Sequence, residues 1–351
     1  MNTITLPGLI DPHVHLREPG QTEKEDFYTG TCAALAGGFT TILDMPNNLT
    51  PITTLARLEE KKTLAKEKIV VDVGFHFGTL GTNLNEFTKV TGNVFALKIY
   101  LNHTTGDFLI DKPNMLAIFS AWPAENGPIM LHAEENLISE VIEIGKKSGK
   151  RIHICHISSE NELQIIMNAK EEGVQITCGV TPHHLFLTED DTKHLGPIGM
   201  MKPELKSKKD VEFLWKNLSA IDIVESDHAP HTLGEKQGEQ VAFGVPGLET
   251  TLPLLLTAVS EKRLTLDDVV RLCYEGSSNM FDIISEDITK IEIDLNAEYE
   301  VKNENLYTKC KWSPFHGWKV KGKVQRVFLR GEKVFEDGTI LAKPGSGKII
   351  P

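Results

Sequence analysis

The chain has no apolar run long enough to cross a bilayer, and no charged start followed by an apolar core opens it. Neither a membrane span nor a secretory leader is expected. Cysteine is scarce. The five residues Cys32, Cys155, Cys178, Cys273 and Cys310 are scattered and odd in number, which argues against a disulfide framework and for a reducing cytoplasm. Positive charge is in deficit, with 37 Lys and Arg against 49 Asp and Glu, a net charge of −12. Bulk attraction to nucleic acid or to anionic membranes is therefore excluded. An anionic substrate would have to be met by a few concentrated cations. Repeats and low-complexity tracts are absent as well. What remains is ordinary globular composition, 40% hydrophobic and 25% charged over 351 residues, enough for one large domain or two modest ones.

Strand-like apolar runs alternate with amphipathic segments over most of the length. The runs are 9–15, 40–45, 69–77, 95–101, 129–132, 151–157, 174–180 and 221–226, and the segments between them include 24–36, 55–66, 136–147, 160–172 and 208–218. Repeated βα units of this kind predict a (β/α)8 barrel of the TIM type, typically about 250 residues long. Residues 9–285 are assigned to that barrel. From about Ile291 the texture turns to short strands, so residues 286–351 with residues 1–8 are expected to form a small β-rich appendage. The Gly-rich stretch 234–247 follows the eighth run, on the catalytic face of such a barrel, where a substrate lid is expected.

The most informative segment is Asp11-Pro12-His13-Val14-His15-Leu16-Arg17. Residues two apart on a strand share a face, so His13 and His15 can present both imidazoles to one metal. Arg17, one pleat further, brings a fork of donors suited to a carboxylate. Other polar residues recur at run ends: Lys98 in the fourth, His132 closing the fifth, His156 closing the sixth and Asp227 closing the eighth. Barrel chemistry sits at the carboxyl ends of strands, so these residues converge on one rim.

Lys98 lies among apolar strand neighbours, where burial disfavours the ammonium and leaves a nucleophilic amine. Such an amine can capture carbon dioxide, and the resulting carbamate can bridge two metals. The competing reading is an ammonium paired with Asp227. With the four histidines present the carbamate is preferred, and two zinc ions held by imidazoles and carboxylates follow from it. A hydroxide shared between them would be the nucleophile, with Asp227 as the acid and base.

At this point the chain resembles the dihydroorotases of the amidohydrolase superfamily, especially the dihydroorotase domain of the animal pyrimidine-synthesis polyprotein. The resemblance covers nearly the whole length. It rests on Gly8-Leu9-Ile10-Asp11-Pro12-His13-Val14-His15-Leu16-Arg17-Glu18-Pro19-Gly20, Asp44-Met45-Pro46-Asn47, Ala96-Leu97-Lys98-Ile99-Tyr100-Leu101-Asn102, His153-Ile154-Cys155-His156, Thr181-Pro182-His183-His184 and Ser226-Asp227-His228-Ala229-Pro230-His231. It implies the reversible closure of N-carbamoyl-L-aspartate to dihydroorotate in pyrimidine biosynthesis. It also implies one zinc on His13, His15, carboxylated Lys98 and Asp227, and a second on Lys98, His132 and His156. Arg17, Asn47 and His231 would hold the substrate carboxylate, and backbone groups near Phe243 and Gly244 would meet the ring. Thr104 matches a loop threonine that touches substrate. A homodimer and a bound or fused carbamoyltransferase partner are expected on the same grounds. Since the first motif lies close to residue 1, a free enzyme and an excised polyprotein domain fit equally.

Three positions depart from the animal domain. Gly179 replaces a glutamate associated with a third metal, which argues against a third zinc. Lys202 replaces an arginine near the substrate, keeping the charge and losing the bidentate fork. Thr105 replaces a loop phenylalanine. These departures are the support for a catalytically dead scaffold domain. A hydantoinase or allantoinase, sharing the metals but acting on another ring, is the other alternative, and Arg17 with Asn47 speaks against it. Of the remaining polar residues, at most one of His183 and His184 is expected to face the site, because neighbours on a strand point opposite ways. His76 is expected to be packed, residues 59–68 to form an exposed helix face, Glu23, Glu25 and Asp26 to form a solvated helix start, and Trp312, Phe315 and Trp318 to pack the appendage.

Overall fold

The computed structural model describes residues 3–102, 109–110, 112–284 and 288–351. After β1 (Thr3–Pro7), the alternation becomes a series of parallel strands. These are β2 (Leu9–Val14), β3 (Phe39–Asp44), β4 (Asp72–Phe75), β5 (Phe77–Gly78), β6 (Leu97–Tyr100), β7 (Ile129–His132), β8 (Ile152–Ile154), β9 (Ile176–Val180) and β10 (Ile223–Val224). They form two parallel sheets, in the orders β2-β3-β4 and β5-β6-β7-β8-β9-β10. β4 and β5 are one run interrupted at His76. Phe95 N donates to Phe75 O at 3.0 Å, His76 N to Asp44 O at 3.0 Å and Phe77 N to Ala96 O at 2.9 Å, which joins the two sheets on that side.

On the other side, the ladder reduces to the Val14–His228 bridge and a 2.8 Å bond from His15 N to His228 O. The Asp11 side chain spans the rest of that seam, accepting from Ser226 N at 3.3 Å and His13 N at 3.1 Å. Burial there pushes its carboxyl up to about 7, against the pull of those hydrogen bonds. The architecture is the TIM-type barrel, with its hydrogen-bond ladder interrupted at these two places.

Helices begin where their capping residues stand. Asp26 caps Phe27–Ala36 with Thr29 completing the box, and Ser159 with Glu162 does the same for Glu160–Glu171. Each cap contributes about 1 kcal/mol. The helix Asn136–Ser148 ends on left-handed Gly149.

The strand period decides what enters the barrel. Leu97, Ile99, Ile129 and Leu131 point outward into the main core under the helices. Ala96 and Met130 point inward and join Ile10, Leu43, Ile223 and Phe281 in an apolar inner layer. Lys98, Tyr100 and His132 share that inward parity further along their strands and stand beyond this layer, at the carboxyl ends.

β1 leaves the barrel to pair with β11 (Lys290–Glu300). It opens an antiparallel sheet completed by β12 (Lys319–Leu329), β13 (Glu332–Glu336) and β14 (Thr339–Ile340). Trp312, Phe315 and Val320 pack with Leu187, Met201, Val245 and Leu254. Trp312 and Phe315 are thus packing, Trp318 stays exposed, and the cluster also reaches the barrel rim, because Trp312 Nε1 donates to His231 O at 2.7 Å.

Two stretches differ from the solvated faces expected of them. Glu25 is fully buried and accepts from Thr308 Oγ1 at 2.5 Å and Lys309 N at 3.2 Å, both in the C-terminal segment. Lys61 shares the buried face of the helix Leu55–Lys66 with Leu58 and Ala65, at the three- and four-residue spacing that makes neighbours on a helix. A charge run can therefore carry one inward member without breaking its pattern.

Candidate active site and metal centre

A small pocket at the carboxyl ends of the strands is lined by His13, His15, Arg17, Asn47, Tyr100, His132, His156, Lys202, Asp227, Ala229, Phe243 and Gly244. His13 and His15 reach it on the first strand, as the two-residue spacing requires. Asp227 lies 3.3 Å from His13 Nε2 and 3.0 Å from His15 Nε2. One ligand atom from each of these three residues falls within 4.8 Å of the others. Each imidazole is aimed through its second nitrogen: His13 Nδ1 lies 2.8 Å from Glu225 Oε2, and His15 Nδ1 lies 2.7 Å from Asn47 Oδ1. Such partners leave Nε2 free for a metal.

His132 and His156 meet beside them, with Nδ1 of His132 3.0 Å from Nε2 of His156. Lys98 is fully buried. Its Nζ lies 3.0 Å from Cys155 Sγ and 5.0 Å from the centroid of the Tyr100 ring. Among the described residues it makes no ion pair with Asp227, so the competing pairing is not formed.

Three of these residues hold left-handed backbone: Arg17 at φ 65°, His156 at φ 37° and Asp227 at φ 45°. Each follows the end of its strand. Non-glycine residues adopt this region at a cost, which concentrates where side-chain direction matters. At His156 the turn, and not strand parity, sets the side-chain direction, since β8 ends at Ile154.

The electrostatics suit cation ligands. Burial, then the neighbouring Lys98, lowers His13 well below the usual imidazole range, and burial with His132 and Lys98 does the same for His156. Both rings are neutral donors. Burial works against the Asp227 carboxylate, yet His13 and His15 hold it below the usual carboxylate range and ionised. The Cys155 thiol is pushed up to about 12 by burial. His156 Nδ1 is buried and has no hydrogen-bond partner among the described residues, an orphaned donor site of the kind a metal satisfies. The donor set therefore fits divalent cations bound by imidazole and carboxylate.

Arg17 lies at the pocket wall. Its Nε donates to Pro230 O at 3.0 Å and one terminal nitrogen lies 3.1 Å from His231 Nε2. His231 Nε2 is also 3.0 Å from Phe243 O. Lys202 Nζ lies 5.1 Å from the Phe243 ring centroid and bonds Glu204 at 2.6 Å. The Gly-rich stretch is pinned rather than loose. It opens with a short helix, Leu233–Gln237, Gly244 N donates to Met200 O at 3.2 Å and Val245 bridges His228. Thr104 and Thr105 lie outside the described residues.

His183 and His184 sit on a short helix, Pro182–Phe186, capped by Thr181, rather than on a strand. His184 bonds Thr181 Oγ1 and Pro203 O at 2.7 and 3.0 Å. His76 is packed, with Nε2 2.9 Å from Pro12 O. Tyr100 and Glu225 are the site residues that motif reading passes over. Each lies two residues from a ligand candidate, Lys98 and Asp227, and strand parity alone would have pointed to both.

Residues 4–229 match the model of the amidohydrolase family. The chain is 44% identical over 99% of its length to Multifunctional protein CAD of Squalus acanthias, of which it spans 16%. It is 39% identical to the dihydroorotase of Pyrococcus horikoshii, covering 99% of this chain and 84% of that one. Among solved structures it is similar to the L-hydantoinase (dihydropyrimidinase) of Arthrobacter aurescens, with a TM-score of 0.94 at 26% identity, covering 99% of this chain and 89% of that chain.

Proposed function

Because the chain belongs to the amidohydrolase family, and within it to the dihydroorotases, we propose that it interconverts N-carbamoyl-L-aspartate with dihydroorotate and water. The observation that carries this reading is the meeting of His13, His15 and Asp227 within 4.8 Å, with Arg17 in the same pocket wall. The metal ligands on this reading are His13, His15, Lys98 and Asp227 for one zinc, and Lys98, His132 and His156 for the other. Lys98 enters as a carbamate, its side-chain nitrogen adding to carbon dioxide with loss of a proton. Its burial with no carboxylate partner among the described residues supports that state. The two cations supply Lewis acidity that makes water nucleophilic near neutral pH.

The chain's own residues do the rest. Asp227 accepts the proton of the attacking water and delivers it to the ring nitrogen that leaves; in the reverse direction it returns that proton. Arg17 offers two parallel donors to the substrate carboxylate, with His231 and the Asn47 amide nitrogen beside it. Lys202, over Phe243, adds the second positive charge that an anionic substrate needs in an acidic protein. Phe243 and Gly244 bound the ring. Thr104 is assigned to the loop that meets substrate. The match to one section of a multifunctional protein supports a carbamoyltransferase partner, bound or fused, and a homodimer is proposed alongside it.

Hydrolysis of dihydroorotate by the zinc-loaded protein, followed at the ring-amide absorbance with Lys98→Ala as control, tests this. Activity that vanishes in the variant is expected. A 5-substituted hydantoin preferred over dihydroorotate would establish the hydantoinase reading instead. Two bound metals with no turnover of either ring would establish the scaffold reading.

A further inference from the structure

Glu225 is fully buried in the barrel and faces His13 from the position just after β10. Its Oε2 lies 2.8 Å from His13 Nδ1, and its Oε1 accepts the backbone N–H of His156 at 2.5 Å. His153 Nε2 stands 3.9 Å away. One carboxylate thus touches His13 on β2 and His156 in the turn after β8, each with an imidazole of the proposed metal centre. Gly179, on the neighbouring β9, explains how that carboxylate fits. A Cβ added there would lie 2.7 Å from Glu225 Cδ and closer still to Oε1, so any side chain at 179 would contend for the same space. The glycine at 179 is the complement of a carboxylate arriving from the next strand.

We infer that Glu225 is the positioning residue of the metal centre, fixing the His13 ring and the left-handed turn at His156, and that Gly179 is required to admit it. The inference rests on the metal-centre reading above. With Nδ1–H held by the carboxylate, His13 keeps the tautomer that presents Nε2 to the cation. The His156 N–H bond holds the turn that brings the second imidazole in. Gly179 brings no side chain to the centre and acts there by leaving space, while its backbone carbonyl accepts from Ile157 N at 2.8 Å.

The test needs no substrate. Metal content per chain and apparent zinc affinity, measured by competition with a chromogenic chelator, are compared for wild type, Glu225→Gln, Glu225→Ala, Gly179→Ala and the Glu225→Ala/Gly179→Ala double variant. Two metals per chain are expected in wild type. Affinity should fall about 10- to 100-fold in Glu225→Ala, the usual loss for removing a carboxylate behind a ligating histidine. Glu225→Gln, which keeps an acceptor oxygen, should lose less. Gly179→Ala should weaken zinc binding in the wild-type background and have no further effect beside Glu225→Ala, the non-additivity expected of two residues sharing one space.

Unchanged affinity in Glu225→Ala would overturn the inference, as would an equal Gly179→Ala effect in both backgrounds. So would three metals per chain with one lost in Glu225→Ala, because His13, Cys155 and Glu225 also offer atoms within 4.8 Å of one another, and Glu225 would then be a ligand. Should Glu225→Ala fail to fold, Glu225→Gln and Gly179→Ala carry the comparison. Two metals without dihydroorotate turnover in wild type would defeat the proposed reaction and leave this inference standing.

Discussion

The Lys61 ammonium and the Asp44 carboxylate form a 2.7 Å ion pair with both side chains about 1% exposed. Lys61 also donates to Met45 O and Asn48 Oδ1 at 2.7 and 2.8 Å, while Asp44 Oδ1 accepts from Leu16 N at 2.8 Å. The pair ties the helix Leu55–Lys66 to the turn that carries Asn47 and to the chain entering Arg17. Replacing Lys61 by Ala leaves a buried carboxylate unpaired, which costs about 3–5 kcal/mol. Denaturant melts of Lys61→Ala should show that loss. The double variant with Asp44→Asn should recover part of it, since the stranded charge is then gone.

Arg17→Lys keeps the charge and loses the planar fork. Charge-assisted hydrogen bonds of this kind contribute about 1.5–3 kcal/mol, so KM for dihydroorotate should rise about tenfold or more. Metal content should stay at the wild-type level, because the hydrogen bonds of Arg17 among the described residues go to Pro230 and His231 and to no candidate metal ligand. A fall in metal content would instead place Arg17 in the support of the metal centre.

Zinc removal should abolish turnover and lower the melting temperature, since a ligand that binds only the folded state adds about 4 kcal/mol at a thousandfold excess over Kd. Reconstitution with zinc should proceed faster with added bicarbonate if Lys98 must be carboxylated. Equal rates with and without it would argue for a plain amine.

The metal-free protein should lose stability as pH falls below about 6.5. Eight buried histidines, His13, His15, His76, His132, His156, His183, His184 and His231, are held below the usual imidazole range, burial being the largest cause for each. The unfolded chain takes up protons that these rings refuse, so stability is full above 6.5 and declines toward 4, the value to which His184 is lowered. Asp11 and Glu249, pushed up to about 7, act oppositely and cost stability as pH rises from their unfolded values of 3.8 and 4.5. The histidines outnumber them, so the net slope is positive. Thermal melts across this range should show it, with a shallower slope for His184→Gln.

Much of the site was legible because strand periodicity is local. His13 and His15 on one face, Lys98 inward among Ile99 and Leu97, and His132 closing Ile129–His132 need only the two-residue alternation and the knowledge that barrels act at strand ends. His156 and Asp227 were legible as motif positions, although their left-handed turns were not. Helix starts at Asp26 and Ser159 are written in capping residues and needed no tertiary context.

What escaped depends on which neighbour a side chain meets across the fold. Glu225 lies two residues from Asp227, yet nothing local says that its carboxylate stands against Gly179 and His13, which are 46 and 212 positions away. Lys61 and Glu25 sit in charged stretches, and only the packing of Met45 and Asn48, or of Thr308 and Lys309, turns them inward. By itself the sequence determined the strand alternation, the inward residues and the chemical nature of the donors, since these follow from backbone geometry within a few residues. The tertiary structure decided which buried charges are paired, how the seam at Asp11 closes and where the space at Gly179 goes. Those outcomes are contests for volume and hydrogen bonds between segments far apart in the chain.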